Sequence, residues 1–175
     1  MTLLAVVRHG VTDWNLEGRI QGRRDTPLSE AGRTLLAGRR IPEEWSDYDR
    51  LCSPLRRCRE TADILFGPDA PYATDPRLME LNWGGWEGRR REELRGDPAT
   101  GFLEQEARGL DLRPPGGESP RELQQRVRSL LAEIAARGRP TLAVTHKGVI
   151  RGLLCLATGW DMLGRPPAKL DWTAA

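Results

Sequence analysis

Short apolar runs that alternate with amphipathic stretches constrain the fold of this chain more than any other feature of its sequence. Residues 3–7 and 141–144 are continuous apolar runs with the length of strands buried on both faces. Shorter strands are predicted at 50–53 and 72–74. Between the strands, apolar residues at helical spacing predict helices at 29–40, 54–66 and 119–138, and a last helix is predicted to follow residues 145–148 and to reach about residue 158. This alternation predicts an α/β fold with a largely parallel sheet.

Residues that typically begin and end helices support these boundaries. Ser29 is a favoured N-cap, and Pro54 takes the first helical position, where a missing N–H leaves no bond unmade. Ser119 and Glu122 form a capping-box pattern, and Gly138 stands where that helix should end. The helices therefore have defined ends as well as an apolar face.

Residues 76–118 lack this regularity. They contain many glycines, two tryptophans and short charged helical pieces at 89–95 and 102–108. No repeat or linker separates them from the rest of the chain. We therefore predict an excursion from the sheet, within one domain that spans residues 1–175.

Composition excludes several classes of protein. The chain has 27 Lys and Arg against 25 Asp and Glu, and because the signs interleave, a surface for nucleic acid is not expected. The apolar runs are too short to cross a bilayer, and no basic segment precedes the first one, as it would in a signal peptide. The three cysteines form no C-x-x-C pair, so free thiols are expected. We expect a cytoplasmic monomer or homodimer without a nucleic-acid or membrane partner.

The chain has only two histidines, His9 and His146, and they occupy equivalent positions. Each follows an apolar strand and precedes a glycine within two residues. Because ligands of open α/β sheets bind at the carboxyl ends of the strands, parallel neighbouring strands would bring both imidazoles to one crevice. The alternative is that both are ordinary loop residues. Two histidines and three scattered cysteines leave little from which to build a closed zinc site.

Several other positions offer groups that suit phosphate chemistry, although each has an ordinary alternative. Arg8 carries a planar guanidinium that matches phosphate. Arg56 and Arg57 stand near a helix start that also favours an anion, and any of the three could instead be a surface arginine. Glu80 precedes a loop rich in Trp and Gly, where a carboxyl can act as a general acid or remain a solvated charge. Lys147 is a phosphate ligand or a solvated charge. Residues 116–119 either cradle phosphate or form a turn and a helix cap.

Six motifs, in order along the chain, make this sequence resemble the histidine phosphatase superfamily, which includes cofactor-dependent phosphoglycerate mutases. Together they span residues 7–151, and the set is far more specific than any single motif. The motifs are V-R-H-G-V-T-D-W-N at 7–15, D-T-P-L-S-E-A-G at 25–32 with Gly22 before it, S-P-L-R-R-C-R-E-T-A at 53–62, E-L-N-W-G-G-W-E-G at 80–88, G-E-S at 117–119 and V-T-H-K-G-V-I-R at 144–151.

The resemblance implies a three-layer sandwich of the phosphoglycerate mutase type and a phosphohistidine mechanism that needs no metal and no cofactor. His9 is then the nucleophile, and Glu80 protonates the leaving oxygen and afterwards activates water. The family's second phosphate arginine corresponds to Arg57 and not to Arg56. The groups that would hold the phosphoryl oxygens are Arg8, Arg57 and His146. Further contacts to phosphate or substrate are implied for Asn15, Thr12, Gly22 and Lys147.

The sequence departs from the family pattern at a few positions. Lys147 stands where the family usually has glycine, and a cation there could favour a more acidic substrate. Cys58 and Glu60 replace the usual Ala and Gln at what look like helix-packing positions. Family chains usually continue past a segment like 169–172 into a last strand, whereas this chain stops at Ala175. Two expectations follow from the resemblance: either the family's final strand is absent from this protein, or the chain was shortened.

The resemblance leaves three functions open. A phosphomonoesterase for a small phosphorylated metabolite is expected, because the family's mutases are longer and have an insertion after the segment at Glu80. Its substrate could be α-ribazole phosphate, a sugar phosphate, phosphoglycerate or a phosphoprotein. A phosphoglycerate mutase is the alternative. A non-catalytic binder of a phosphate ligand is the third. Such a protein could dispense with His9 or Glu80, and because both are present here, a binder is less expected than an enzyme.

Overall fold

Four parallel strands form one sheet at the centre of the computed structural model, which describes residues 2–67, 69–170 and 172. The strands are β1 (Leu4–Arg8), β2 (Asp49–Cys52), β3 (Ala73–Thr74) and β4 (Thr141–Thr145). The α-helices are α1 (Asp13–Leu16), α2 (Glu30–Leu36), α3 (Arg56–Phe66), α4 (Arg91–Gly96), α5 (Phe102–Glu106), α6 (Pro120–Arg137) and α7 (Lys147–Thr158). Short 3₁₀ turns lie at Glu43–Trp45, Pro76–Leu78, Gly84–Trp86, Pro98–Thr100 and Gly109–Asp111.

The strand order is β1-β4-β2-β3, so β4 pairs with a strand on each side. The pairing of β1 with β4 runs from Leu4 opposite Thr141 to Arg8 opposite Thr145. Every residue of β4 is buried, as expected for a central parallel strand. The prediction that the two strands before the histidines are parallel neighbours is therefore confirmed.

Side chains that alternate along the strands fill two separate cores, one on each face of the sheet. Leu51 and Ala143 pack with the apolar face of α6 and with Val149 of α7. Their neighbours Cys52 and Val144 point the other way and pack with α3. Helices therefore cover both faces, and the three-layer α/β sandwich is confirmed.

Residues 76–118, the predicted excursion, consist of short helices and turns with a small core of their own. Trp86 packs edge-to-face on Phe102, with ring centroids 4.8 Å apart. Ile20, from the segment that follows α1, joins this cluster together with Leu94 and Leu112. The observed helices α4 and α5 lie close to the predicted pieces. The excursion therefore packs beside the segment that follows the first histidine.

Helix boundaries differ from the predictions in three places. The helix predicted to reach residue 40 ends at Leu36, because Ala37 leaves helical geometry and Gly38 adopts a positive φ of 78°. The helix predicted to begin at Pro54 begins two residues later, after the N-cap Leu55. Its first free amide, at Arg56, donates to the Asp25 carboxylate from another loop. Helix α1 was not predicted, because four residues carry no amphipathic period.

Other predictions concern cysteines, membranes and the C-terminus. All three cysteines are buried and free. No helix in the described part of the chain is long and apolar enough to span a membrane. The prediction about a last strand concerns the end of the chain. Residues 171 and 173–175 of this segment lie outside the described residues, so this prediction stays a prediction.

Gly32 allows α2 to approach the loop after the first histidine, so Gly32→Ala should destabilise the protein. A Cβ at this position would overlap the carbonyl oxygen of Val11, which accepts a hydrogen bond from the Ser29 amide at 2.9 Å. We expect the free energy of unfolding in urea to fall by about 1–3 kcal/mol, as for other overpacked sites. Gly96→Ala is the control, because no atom lies within 4 Å of its Cβ position. Equal effects of the two substitutions would contradict this account of the packing.

Candidate active site

A cavity of about 670 Å³ opens at the carboxyl ends of β1 and β4. The chain leaves β1 toward α2, on the same face as α3, and leaves β4 into α7 on the opposite face. Connections that diverge to opposite faces leave a crevice between two strands, which is where ligands bind in open α/β sheets. The cavity is lined by six cationic and two acidic side chains: Arg8, Arg19, Arg57, Arg91, Lys147 and Arg151 against Glu80 and Glu106.

His9 lines this cavity with a neutral ring whose Nε2 carries the lone pair. Its Nδ1 lies 2.7 Å from the Gly10 carbonyl oxygen, which can only accept, so Nδ1 holds the proton. Burial, together with the charges of Arg57 and Arg8, lowers the pKa of His9 well below its usual range. The ring is 5% exposed. A neutral imidazole whose Nε2 carries no proton is the form that can act as a nucleophile.

Arg57 is only 1% exposed and is held in one orientation. Its Nη1 donates to the carbonyl of Arg24 at 2.8 Å, and its Nη2 donates to that of Gly22 at 2.7 Å. The remaining Nε donates to Nε2 of His9 at 3.3 Å. The guanidinium therefore stands beside the candidate nucleophile and is fixed there by backbone carbonyls.

Arg8 contributes an unpartnered donor to the same cavity. Its Nε is buried and has no hydrogen-bond partner among the described residues. Leaving a buried charged donor unsatisfied is unfavourable by about 1–3 kcal/mol or more, so an anion that accepts its hydrogen bond would be bound favourably. With Arg57, it makes the cavity floor suitable for a phosphoryl group.

Glu80 has a carboxyl group that is buried at the cavity and held by two backbone amides. Oε1 accepts from the Leu81 amide at 2.8 Å, and Oε2 accepts from the Gly148 amide at 3.1 Å. A Cβ at position 148 would overlap this carboxyl group, so a larger residue there would displace the Glu80 side chain. The contact places Glu80 at the first turn of α7, where it can exchange a proton with a bound ligand.

Comparisons with known proteins agree with this geometry. A family model described as the histidine phosphatase superfamily (branch 1) matches residues 4–174. The chain belongs to the histidine phosphatase superfamily. It is 38% identical over 175 residues to a probable phosphoglycerate mutase, GpmB, of Salmonella paratyphi C, covering 95% of this chain and 77% of that protein. It is 31% identical over 184 residues to a 2,3-bisphosphoglycerate-dependent phosphoglycerate mutase of Methylobacterium sp. strain 4-46, covering 98% and 87%.

A solved structure of a superfamily phosphatase is also similar. The mycobacterial glucosyl-3-phosphoglycerate phosphatase, solved in complex with VO3, superposes with a TM-score of 0.76 at 30% identity. The match covers 91% of this chain and 81% of that one. The chain is therefore a phosphatase-like or mutase-like member of the superfamily.

The second histidine of this superfamily member lies behind the first. The ring centroids of His146 and His9 are 5.1 Å apart. His146 is fully buried, and its Nε2 lies 2.7 Å from Oγ of Ser53 and 3.4 Å from Sγ of Cys58. Burial and the nearby charge of Arg57 lower the pKa of His146 well below its usual range. The two rings lie next to each other, but of the two only His9 lines the cavity, and the role of His146 in holding phosphate stays a prediction.

The other predicted binding residues divide between the cavity and its support. Asn15, Gly22 and Lys147 line the cavity. Thr12 is buried beneath them as the N-cap of α1, and its hydroxyl lies 2.9 Å from Oε1 of Gln21. The side-chain oxygen Oδ1 of Asn15 accepts a hydrogen bond from the backbone amide of Thr12 at 3.1 Å, which completes the capping box. Direct contact of these four residues with substrate stays a prediction.

Two residues that support the site were not assigned a role from the sequence. Glu87 accepts from the amides of Arg23 and Arg24 at 2.8 Å and 3.0 Å, and so holds the loop whose carbonyls bind Arg57. Arg126 donates to the carbonyls of Met79 and Glu80 at 2.7 Å and 3.2 Å. Glu87 stands within the E-L-N-W-G-G-W-E-G motif, which was the available signal.

Residues 116–119 form a turn and a helix cap, the second of the two readings that the sequence left open. Gly116 has a positive φ of 65°, and Ser119 caps α6 in a complete capping box. Glu118 accepts from Nε of Arg126 at 2.7 Å. The G-E-S motif therefore supports the backbone around the general-acid candidate through Arg126.

The two neutral histidines should make the protein less stable in acid. Their pKa values are lowered in the folded state, so below the unfolded value of about 6.5 the unfolded chain binds more protons and stability falls as the pH falls. Between about pH 6.5 and pH 5, we expect the free energy of unfolding to fall more steeply for the wild type than for His9→Gln, by up to about 1.4 kcal/mol per pH unit. Urea unfolding at each pH measures the two slopes. Above about pH 7.5 the slopes should be parallel, and parallel slopes in acid would contradict the neutral state of His9.

Proposed function

We propose that this protein is a phosphomonoesterase that acts through a phosphohistidine on His9 and hydrolyses a small phosphorylated metabolite without a metal ion. The observation that carries the proposal is the unprotonated Nε2 of His9, which accepts from Nε of Arg57 at 3.3 Å in a cavity shared with Arg8 and Glu80. A nucleophile, cationic donors and a carboxyl group are the parts that phosphoryl transfer requires.

The first half-reaction phosphorylates the enzyme. The lone pair on Nε2 of His9 attacks phosphorus, and the bond from phosphorus to the ester oxygen breaks. Glu80, in its protonated form, gives its proton to that oxygen, so the leaving group departs as an alcohol. Arg8 and Arg57 stabilise the negative charge on the transferring oxygens, a role that a metal ion plays in other phosphoryl-transfer enzymes.

The second half-reaction releases phosphate. Water attacks the phosphorus of the phosphohistidine while the Glu80 carboxylate takes one of its protons. The N–P bond breaks and its electron pair returns to Nε2, which restores the neutral His9 ring. Asn15 and Gly22 are proposed to contact phosphate or substrate from the cavity wall, with Thr12 supporting Asn15, and Lys147 is proposed to contact the substrate. His146 would supply a further ring nitrogen to the phosphoryl group from behind His9.

Hydrolysis and mutase activity differ in the final phosphoryl acceptor. Similarity to the mycobacterial phosphatase supports hydrolysis, in which water is the acceptor. The named sequence relatives support the alternative, a phosphoglycerate mutase. We favour hydrolysis because it needs only the groups described above, whereas a mutase must also keep water from the phosphohistidine. Isomerisation of 3-phosphoglycerate faster than the hydrolysis of any ester would establish the alternative.

His9→Gln should abolish the hydrolysis of 4-nitrophenyl phosphate, by at least about 10³-fold in kcat/KM, because the nucleophile is removed. Brief mixing of the wild type with substrate should add a phosphoryl mass to the peptide that contains His9. A chelator should leave the rate unchanged. Release of 4-nitrophenol is followed by absorbance, and the modified peptide by mass spectrometry.

Two arginines of α3 provide a matched control. Arg57→Gln should lower kcat/KM by roughly 10²–10³-fold, as for loss of one stabilising donor, while Arg59→Gln on the exposed face should not. Equal activity of wild type and His9→Gln would refute the phosphohistidine mechanism. Binding of inorganic phosphate without turnover of any ester would instead indicate a non-catalytic binder.

Glu80→Gln should lower kcat/KM for hydrolysis most for esters whose leaving group is poor. An alkyl phosphate needs a proton on its leaving oxygen, so its kcat/KM should fall by roughly 10²–10⁴-fold, whereas 4-nitrophenyl phosphate should fall much less. The phosphoenzyme should accumulate, because water is no longer activated. Rapid-quench measurement of both half-reactions tests this, with the exposed Glu44→Gln as control. Equal losses for both esters would exclude Glu80 as the general acid.

A further inference from the structure

Two of the cations that line the cavity come from helix α7. Lys147 and Arg151 are four residues apart on α7, so their side chains lie on the same face of the helix. Both line the same cavity as His9 and Glu80. Like charges at this spacing repel each other and destabilise a helix. A negative charge bound near both side chains would relieve this repulsion.

Within the described part of the chain, no carboxylate forms an ion pair with either of them. Lys147 lies over the ring of Trp172, with Nζ 5.1 Å from its centroid, and Arg151 lies over Trp160 at 4.9 Å. Several other arginines do form such pairs, for example Arg126 with Glu118 at 2.7 Å. Aromatic faces orient a cation but do not neutralise it. Lys147 and Arg151 thus keep their charge available to a ligand.

A third cation on the cavity wall differs from these two. Arg91 donates to Oε1 of Glu106 at 3.0 Å and lies 5.3 Å from the centroid of the Trp83 ring. Its charge is therefore partly neutralised. Burial and the charges of neighbouring arginines lower the pKa of both Lys147 and Arg151, with Arg91 acting on each of them. Lys147 and Arg151 therefore carry charge that is less compensated than that of Arg91.

The position of the pair relates it to the leaving group. Glu80 is bound to the amide of Gly148 at 3.1 Å, so the group that protonates the leaving oxygen sits at the first turn of α7. Lys147 belongs to this turn, and Arg151 to the next one. The phosphoryl donors Arg8 and Arg57 come from β1 and α3 instead. Atoms attached to the leaving oxygen would therefore extend along α7.

We propose that Lys147 and Arg151 form a second anion subsite, which binds a carboxylate or a second phosphate on the leaving group of the substrate. The inference rests on the proposed phosphomonoesterase function and narrows its substrate to esters with two anionic groups. Lys147 and Arg151 are thus residues that determine specificity and take no part in the transfer itself.

Paired substrates that differ in one charge test the subsite. 4-Carboxyphenyl phosphate is compared with its neutral isostere 4-carbamoylphenyl phosphate, and 1,4-phenylene bisphosphate with phenyl phosphate. We expect the wild type to favour the doubly anionic member of at least one pair by about tenfold in kcat/KM, as for one charge-assisted contact. The carboxylate and bisphosphate pairs distinguish the two kinds of anion. The preference should weaken as ionic strength rises.

Three variants locate the effect. Lys147→Gln and Arg151→Gln should each lower the preference to about threefold or less, mainly by lowering kcat/KM for the doubly anionic ester. Lys147→Arg should keep the preference, because it keeps the charge. Arg128→Gln, which removes an exposed arginine from α6, is the control and should change neither value.

A binding measurement separates this inference from the proposed function. Calorimetry with 4-carboxybenzylphosphonate and 4-carbamoylbenzylphosphonate, which cannot be hydrolysed, should give the same charge preference and the same loss in the variants. If no ester is hydrolysed but this preference is present, the phosphomonoesterase proposal fails and the subsite stands. Hydrolysis without a charge preference, or with one that both Gln variants retain, overturns the subsite.

Discussion

The parallel pairing of β1 with β4 is the interaction on which the rest of the site depends. Arg8 lies opposite Thr145 at the end of this ladder, and the amide of His9 continues it by donating to the Thr145 carbonyl at 2.9 Å. His9 and His146 are therefore held next to each other by backbone hydrogen bonds rather than by contacts of their own side chains. Because the two chains then diverge to opposite faces, the cavity opens directly above the rings.

The site concentrates positive charge around a neutral nucleophile. Arg57 is buried without a carboxylate partner, and carbonyl oxygens from the loop at Gly22 and Arg24 hold it. Buried charge is unfavourable unless hydrogen bonds compensate it, and these carbonyls, fixed by Glu87, provide that compensation. The same charges keep His9 unprotonated, so one arrangement both prepares the nucleophile and attracts the anion.

Most of the strands and helices could be predicted from the sequence, because their apolar periods are long and their caps are distinct. The capping box at Ser119 and the end of that helix at Gly138 were both confirmed. Short elements could not be predicted in this way. The four residues of α1 show no period, and the start of α3 depends on an amide bond to Asp25, which comes from a distant loop. Support from Glu87 and Arg126 was missed for the same reason, since their partners are backbone atoms.

Residue types and their spacing identified the superfamily and its candidate site residues. The features that did so are two histidines at strand ends, the arginine beside the first of them, and six motifs in order along the chain. Residue types and spacing suffice for this, because a strand end and a helix start are local features. The packed fold was needed to show which of the site's side chains have hydrogen-bond or ion-pair partners. It buried His146 behind His9, engaged Thr12 in a helix cap, and left Arg8, Lys147 and Arg151 without carboxylates among the described residues. Whether a charge is compensated depends on residues far away in sequence, and only the packed fold brings them together.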